Sequence, residues 1–297
     1  MQSSDDRVVC EQCGGASYRI GAKEEVAVAR ICSCSSPCPR CNDRRVVMVE
    51  QDGRRVAAAC SCTDLRRRIE LFNAARVPAR FADKWVDDIR PTHDSQGRVL
   101  YELLRYQDEF ERGQKGFLLW GAPGLGKTHL MCGLVTYLTL ERGLSCRFIE
   151  FMQLIGELKA AYAQGKWDAE VVAPLLKVDV LVIDELGKGK DSEWELGVLD
   201  QLISSRYNAN RTIHATSNLR PVLAQSELVS YTDSGPVLHQ SLQQRLGDRI
   251  YSRLVEMCSF QQVQGDDYRV KPPPRGAAPG KKPQLSPSTK QHTKGLK

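Results

Sequence analysis

The chain has 297 residues, 41% of them hydrophobic and 26% charged, the balance of a globular protein of about two domains. No apolar run approaches the ~20 residues of a membrane-spanning helix, and the polar, acidic start MQSSDDRVVC is unlike a secretory signal. Membrane, secreted and fibrous classes are therefore excluded and a cytoplasmic protein is expected. The net charge of +6 is unevenly placed: residues 271–297 hold basic residues, six prolines and no acid, leaving the remainder close to neutral. Such a tail cannot bury a core and is expected to be disordered, serving as a solubilising segment or as a weak attractor of nucleic acid or an acidic partner.

Eight of the eleven cysteines fall within the first 62 residues, as Cys10 and Cys13, Cys32 and Cys34, Cys38 and Cys41, and Cys60 and Cys62. The unit is a CxxC pair, 18 residues, then a CxC pair, used twice with an offset of 28. In the second unit RRVVMVE and RRVAAA flank Gln51-Asp52-Gly53, a hairpin signal. In the first, SYRI and VAVARI flank residues 21–25. Each unit reads as a hairpin bringing two cysteine knuckles together, so that four thiolates can enclose one Zn²⁺ tetrahedrally. Disulfides suit an exported mini-domain and a redox CxxC needs a βαβ setting. An iron–sulfur cluster fits the ligands but ranks behind zinc. The pattern resembles two tandem zinc ribbons with structural Zn²⁺, four cysteines per site and pairing within each repeat. Each Zn(Cys)4 carries a formal charge of about −2, which favours contact with protein over phosphate. Cys132, Cys146 and Cys258 read as ordinary buried thiols.

Residues 63–73 (TDLRRRIELFN) are expected to form a short helix or linker, with Arg66, Arg67 and Arg68 on a solvated face or touching nucleic acid or a partner. Next, FLLWGAPGLGKTHL contains Gly121-x4-Gly126-Lys127-Thr128. An apolar strand at 117–120, a glycine loop and a helix at 127–142 make a phosphate cradle. Backbone N–H groups from Gly121, Ala122, Pro123, Gly124, Leu125 and Gly126, with Lys127, Thr128 and His129 at the helix start, would surround the phosphates of ATP; proline, lacking an N–H, contributes only its fixed geometry. Lys127 would reach the β- and γ-phosphates and Thr128 would ligate Mg²⁺. The run VDVLVIDELG reads as a buried parallel strand ending in Asp184, for Mg²⁺, and Glu185, for polarising water. Further strands are expected at 145–150, 211–217 and 258–263. Helices are expected at 152–162, 193–207 and 242–256, giving a parallel α/β sheet. Lys159, Tyr162, Lys166 and Trp167 suit either single-stranded DNA, by charge and stacking, or an ordinary amphipathic helix.

The stretches GAPGLGKTHL, VLVIDELG, SSRYNANRTIHATSNL, QRLGDRIYSRLVE and GDDYR resemble the bacterial DnaC/DnaI-type helicase loaders, AAA+ ATPases close to the IstB-like transposition helpers. AARVPARFADKW resembles the segment leading into their ATPase, and the likeness spans about residues 74–270. It implies an AAA+ P-loop core (a parallel sheet flanked by helices, with no C-terminal lid) preceded by the β-rich zinc module. It implies Asn218 as the residue orienting the attacking water. It also implies Arg253, or secondarily Arg249, as an arginine reaching the neighbouring subunit's γ-phosphate, with Arg245 completing a stripe on one helix. Arg206 resembles a further interface arginine and Arg269 a terminal nucleotide-sensing one. The zinc module is nearer to the zinc-containing N-domain of DnaI than to the helical one of DnaC, with different cysteine spacing.

The expected organisation is residues 1–62 as zinc module, 63–85 as linker, 86–270 as ATPase and 271–297 as tail. The function the resemblance implies is ATP-dependent loading of a replicative DNA helicase, docked through the zinc module, onto single-stranded DNA by a nucleotide-dependent homo-oligomer. Alternatives are an IstB-like delivery of transposase, a zinc-bearing adaptor for which ATP is only a conformational ligand, and a plasmid or phage loader.

Overall fold

The computed structural model describes residues 10–51, 53–165, 171–189, 192–232 and 235–270. The expectations for Asp52, Lys166, Trp167 and the 271–297 tail fall outside these residues. Contacts divide the described chain into a smaller unit, residues 10–19 and 30–63, and a larger one, residues 20–29 and 64–270. Both repeats form two-stranded sheets: β1 (Tyr18–Lys23) with β2 (Val26–Ile31), and β3 (Val46–Gln51) with β4 (Arg54–Ala59). In the second, Val46 lies opposite Ala59 and Met48 opposite Ala57, the antiparallel register the Asp-Gly turn predicts.

In the larger unit, α1 (Ser61–Ala75) buries Ile69, Phe72 and Ala75. Of its three arginines, Arg68 is largely covered rather than solvated, and Arg67, though half exposed, also reaches the chain's own backbone. Arg67 donates to the Gly143 carbonyl at 3.0 Å, and Arg68 to the carbonyls of Leu140 and Glu141 at 3.2 and 2.7 Å. These carbonyls lie at the end of α3 (Lys127–Leu140), so the two cations cap a helix C-terminus. α2 (Asp94–Glu109) has no counterpart in the sequence reading; the His93 ring, not a Ser or Asp, accepts from the Ser95 N–H at its start.

The sheet follows: β5 (Gly116–Trp120), α3 (Lys127–Leu140), β6 (Cys146–Glu150), α4 (Phe151–Ala163), α5 (Val172–Lys177), β7 (Val180–Asp184), α6 (Glu193–Asn208) and β8 (Thr212–Ser217). A β9 (Val229–Thr232) and β10 (Gly235–Leu238) hairpin comes next, then α7 (Leu242–Leu246), α8 (Asp248–Met257) and β11 (Cys258–Gln262). The parallel sheet has the order β11-β5-β8-β7-β6. β7 and β8 are buried along their whole length, β7 as a near-continuous apolar run and β8 with its buried Thr212, His214, Thr216 and Ser217 each hydrogen-bonded. Leu118, Leu181, Ile183 and Ile213 pack beneath Leu154, Leu199, Ile203 and Leu254. Cys132, Cys146 and Cys258 are buried here, and burial pushes the Cys258 thiol to about 12. No helix among the described residues is long and apolar enough to cross a membrane.

Two further expectations are corrected. The single helix at 242–256 is two, broken at Gly247 with φ of 76°, so Arg245 does not share a helix with Arg249 and Arg253. Arg206 is no interface residue. It is wholly buried and donates to the carbonyls of Leu175, Val178, Asp179 and Thr212 at 2.6, 3.1, 3.2 and 2.7 Å, tying α6 to the edges of β7 and β8. Burial is the main cause that pulls its guanidinium down to about 9. Lys159 is likewise engaged within the chain, pairing with Glu195 at 3.0 Å and lying over the Trp194 ring.

Arg206→Ala would leave those carbonyls unpaired and a cavity behind them. A loss of about 3–5 kcal/mol is expected, the range of the largest single-residue effects, measurable by urea unfolding. Unchanged stability with weakened self-association would restore the interface reading.

Candidate nucleotide site and cysteine clusters

The C-terminal ends of β5, β7 and β8 lie side by side because the strand order places β8 between the other two, and a ligand crevice opens there. The phosphate loop leaves β5 and enters α3, whose first residue is Lys127. Two glycines in it are required by close approach. A Cβ on Gly121 would stand 2.2 Å from the Val263 carbonyl oxygen, and one on Gly124, whose φ is 83°, would stand 2.0 Å from the Asp267 carboxylate. Residues 263–268 press against the loop: the Val263 N–H donates to the Trp120 carbonyl at 2.8 Å and the Tyr268 N–H to that of Gly124 at 3.1 Å.

A cavity of about 300 Å³ opens beside the loop. Of the expected residues, Pro123 to His129, Glu185, Asn218 and Arg269 line it. Lys127 is buried and donates to the carbonyls of Gly121 and Ala122 at 2.7 Å each. Burial outweighs the pull of Asp184 and Glu185 and brings its ammonium down to about 8. The Thr128 hydroxyl donates to Asp184, lying 3.1 Å from both carboxylate oxygens. Burial raises the Asp184 carboxyl above its ordinary range, against hydrogen bonds from Thr216 and Thr128. A hydroxyl and a buried carboxylate at this distance are a hard oxygen donor set of the kind Mg²⁺ takes, with room left for waters and phosphate.

Glu185 has a left-handed backbone, φ 55°, a strain of about 1–3 kcal/mol in a residue other than glycine. Its N–H donates to the Thr216 hydroxyl at 3.0 Å, which turns the side chain into the cavity. Burial raises its carboxyl, but Lys188 and Glu150 outweigh that and leave it ionised below the usual range. Lys188 pairs with both Glu185 and Glu150. Burial lowers the pKa of the His129 imidazole, whose Nε2 lies 3.1 Å from the Trp85 carbonyl and whose ring is edge-on to Phe81.

Sequence reasoning missed several lining residues. Thr216 is central: its hydroxyl donates to Asp184 at 2.5 Å while accepting from Glu185 N–H. It lies inside the quoted ATSNL motif, where only Asn218 was singled out. Arg80, Phe81 and Ile89 line the opposite wall; Phe81 lies inside the quoted lead-in segment. Arg249 and Arg253 are not among the lining residues. Both pair with Asp200 of α6, at 3.4 and 2.9 Å. The Arg249 side chain is 72% exposed, that of Arg253 24%.

The cysteines gather into two groups, Cys10, Cys13, Cys32 and Cys34, and Cys38, Cys41, Cys60 and Cys62, each with sulfurs within 4.8 Å of one another. The shorter separations are 3.9 and 3.5 Å in both repeats, bracketing the roughly 3.8 Å edge that 2.3 Å zinc–sulfur bonds impose on a tetrahedron. The knuckle hydrogen bonds also repeat at an offset of 28: Gly14 N–H to Cys10 carbonyl and Asn42 N–H to Cys38 carbonyl, both 2.8 Å, then Cys32 to Ser17 and Cys60 to Arg45, both 2.9 Å. Backbone N–H groups, from Cys34 in one case and Cys41 in the other, are the largest cause bringing Cys32 and Cys38 down to about 7. Burial and then its neighbouring thiols push Cys62 to about 12. Four thiols this close resist shedding all their protons without a cation among them, so the donor set fits Zn²⁺.

The sequence profile of the IstB-like ATP binding protein family matches residues 56–274. The replicative helicase loader DnaC of Buchnera aphidicola (subsp. Schizaphis graminum) is 28% identical over 188 residues, 59% of this chain and 69% of its own. The phage-like element PBSX protein XkdC of Bacillus subtilis is 27% identical over 230 residues, 75% of this chain and 79% of its own. Among solved structures, the DnaC helicase loader superposes with a TM-score of 0.53 at 26% identity, covering 62% of this chain and 99% of that one.

Thr216→Val keeps the shape of the side chain and removes the hydroxyl shared by Asp184 and Glu185. A hydrogen bond to a charged group contributes ~1.5–3 kcal/mol. Nucleotide turnover is therefore expected to fall roughly 10- to 100-fold with little change in nucleotide affinity, and Thr216→Ser to recover most of it. Undiminished kcat in the valine variant would remove Thr216 from the site.

Proposed function

The chain belongs to the IstB-like ATP-binding family and is an AAA+ P-loop ATPase; from that membership we propose that it spends ATP to place a replicative DNA helicase on single-stranded DNA. The observation that carries the reading is the alignment with helicase loaders along the ATPase region. Its support in the site is a phosphate loop joined through Thr128 to Asp184, with Glu185 beside it.

Within this reading the phosphates of ATP lie along residues 121–129. The Lys127 ammonium turns from the loop carbonyls to the β- and γ-oxygens, regaining full charge as it does so. Thr128 and Asp184 would hold Mg²⁺, which would supply positive charge beside the phosphates. Glu185 accepts a hydrogen bond from the attacking water and takes its proton, while Asn218, at the end of β8, orients that water. Arg269 faces the phosphates from the residues after β11. Arg253, with Arg249 beside it, is the arginine offered to the neighbouring subunit's site, where the planar guanidinium meets phosphate oxygens bidentately. Asp200 holds both side chains together until then. The working form is consequently a nucleotide-dependent homo-oligomer. The zinc module, one Zn²⁺ per cysteine quartet, docks the partner protein. A second reading, delivery of a transposase, is favoured by the family profile itself; transposase rather than helicase captured in the presence of ATP decides for it.

Lys127→Ala is expected to lose ATP binding, and Glu185→Gln to keep ATP but lose turnover by about 100-fold or more, the scale of general-base catalysis. Normal hydrolysis by Glu185→Gln would contradict the assignment. Mixing Arg253→Ala with Lys127→Ala chains should restore part of the turnover that each lacks alone; no rescue, including with Arg249→Ala in place of Arg253→Ala, argues against sharing of sites between subunits. Elemental analysis is expected to return two zinc atoms per chain and Cys60→Ser to reduce this to one, while a metal-free wild-type chain would refute the ribbon assignment.

A further inference from the structure

The internal repeat lets one ribbon serve as a template for the other. In the first, the outer edge of β2 is taken by an extended segment of the same unit. The Ala27 N–H donates to the Val77 carbonyl and the Ala79 N–H to the Glu25 carbonyl, both at 2.8 Å, and Val26 forms an antiparallel bridge with Pro78. The Asn73 amide clasps both backbone groups of Ala29, at 2.7 and 3.1 Å. Tyr18, Ala27 and Ala29 are buried on this ribbon.

The offset of 28 puts Gly53, Arg55 and Ala57 of the second ribbon at the positions of Glu25, Ala27 and Ala29. There β3 and β4 make a sheet of two strands, and among the described residues no third segment pairs with β4. The matching face is bare. Val46, at the position of Tyr18, is 48% exposed and Met48, at that of Ile20, is 55% exposed. Their cross-strand partners Ala59 and Ala57 are exposed beside them. An open strand edge next to an apolar strip is a surface that soluble proteins normally cover or charge. The ends of this strip carry an excess of arginine over acid: Arg44 and Arg45 beside Asp43 at its base, and Arg54 and Arg55 near its turn, where Arg55 faces Glu50 across the strands, all exposed.

We propose that the β4 edge and the Val46–Met48 face of the second ribbon bind an extended segment of a partner protein, apolar at alternate positions and acidic at its flanks, added as a third strand. The mode is the one residues 76–79 already use on the first ribbon, with side-chain charge inverted to suit the arginines. The excess of arginine works against the competitors. The chain's own basic tail and a second copy of the same arginine-rimmed face would both be repelled, and nucleic acid leaves the apolar strip without a purpose. The inference rests on the reading that the zinc module docks a protein, and it assigns that role to the second repeat alone, since the first is already capped.

The test uses the full chain with 13C-methyl methionine, so that the Met48 methyl reports on the face. The probe is a synthetic peptide of residues 72–82 carrying Arg76→Glu and Arg80→Glu. It is expected to shift the Met48 resonance, and the parent peptide to bind at least about tenfold more weakly, a loss equivalent to ~1.4 kcal/mol. Arg54→Glu with Arg55→Glu should reverse that preference while zinc content and ATP binding stay as in the wild type, and Met48→Ser should weaken the acidic peptide with the same controls. A Met48 resonance unmoved at millimolar peptide overturns the proposal, as does equal binding by the charge-reversed chain. A concentration-dependent Met48 shift without peptide, accompanied by dimers in the ultracentrifuge, also overturns it in favour of a second copy. The replicative helicase of the same cell is the second probe. A complex that leaves Met48 unmoved defeats this inference but not the loader reading; peptide bound as expected with no helicase complex defeats the loader reading and leaves the docking face standing.

Discussion

A buried carboxylate organises the nucleotide site. Asp184 lies at the end of a fully buried strand, and an ionised group there is costly unless its oxygens are occupied. Thr128 from α3 and Thr216 from β8 supply hydroxyls to it. The three residues come from β7, α3 and β8, well separated along the chain, and lock the phosphate loop to the strand ends. Burial still raises the Asp184 carboxyl, so the hydroxyls do not compensate fully and a cation would. The same Thr216 oxygen accepts from the backbone of Glu185, which is how a strained left-handed turn stays fixed and aims the next carboxylate into the cavity. The two adjacent acids are pushed in opposite directions, one by burial and the other by Lys188. Such a division lets one act toward metal and the other toward water.

The cysteine module depends on a different constraint. A hairpin of six-residue strands cannot bury enough apolar area to offset the entropy of ordering it. A structural zinc site contributes an apparent ~10–16 kcal/mol, which exceeds anything such a ribbon gains from packing. With Zn²⁺ in each quartet, the faces of the ribbons would be released from the task of folding. One has been used to take up residues 73–79 and the other is free to carry arginines and an exposed Met48, which a ribbon stabilised by its own core could not tolerate.

What the sequence made legible was local. The cysteine offset, the phosphate loop, the apolar strands and the acidic pair are short-range patterns, and the structure brings the loop, Asp184 and Glu185 to one crevice. The missed or misread features involve long polar side chains reaching distant backbone. Arg206 looks like any helix-surface arginine until α6 is laid against the carbonyls of residues 175–179 and 212. Arg67 and Arg68 look solvated until the end of α3 arrives beneath them. Residues 242–256 keep helical periodicity across Gly247, and only the positive φ at that glycine shows the break. Thr216 carries no motif of its own; its role exists because β8 lies next to β7.

The break at Gly247 matters for how one chain could serve another. With α7 and α8 separate, Arg245 is free to turn inward, where it donates to the Gly187 and Gly189 carbonyls just beyond the acidic pair. Arg249 and Arg253 sit on α8 against Asp200. One unbroken helix would hold all three arginines in a single stripe and deny the loop after Glu185 its anchor. The kink thus divides the arginines into one that steadies the loop after Glu185 and two that lie outside the chain's own cavity. The Arg249 side chain is largely exposed, so its pair with Asp200 contributes only ~0–1 kcal/mol, whereas Arg253 and Asp200 are both mostly covered. Asp200 thus orders both guanidinium groups on one face of α8, away from the chain's own cavity.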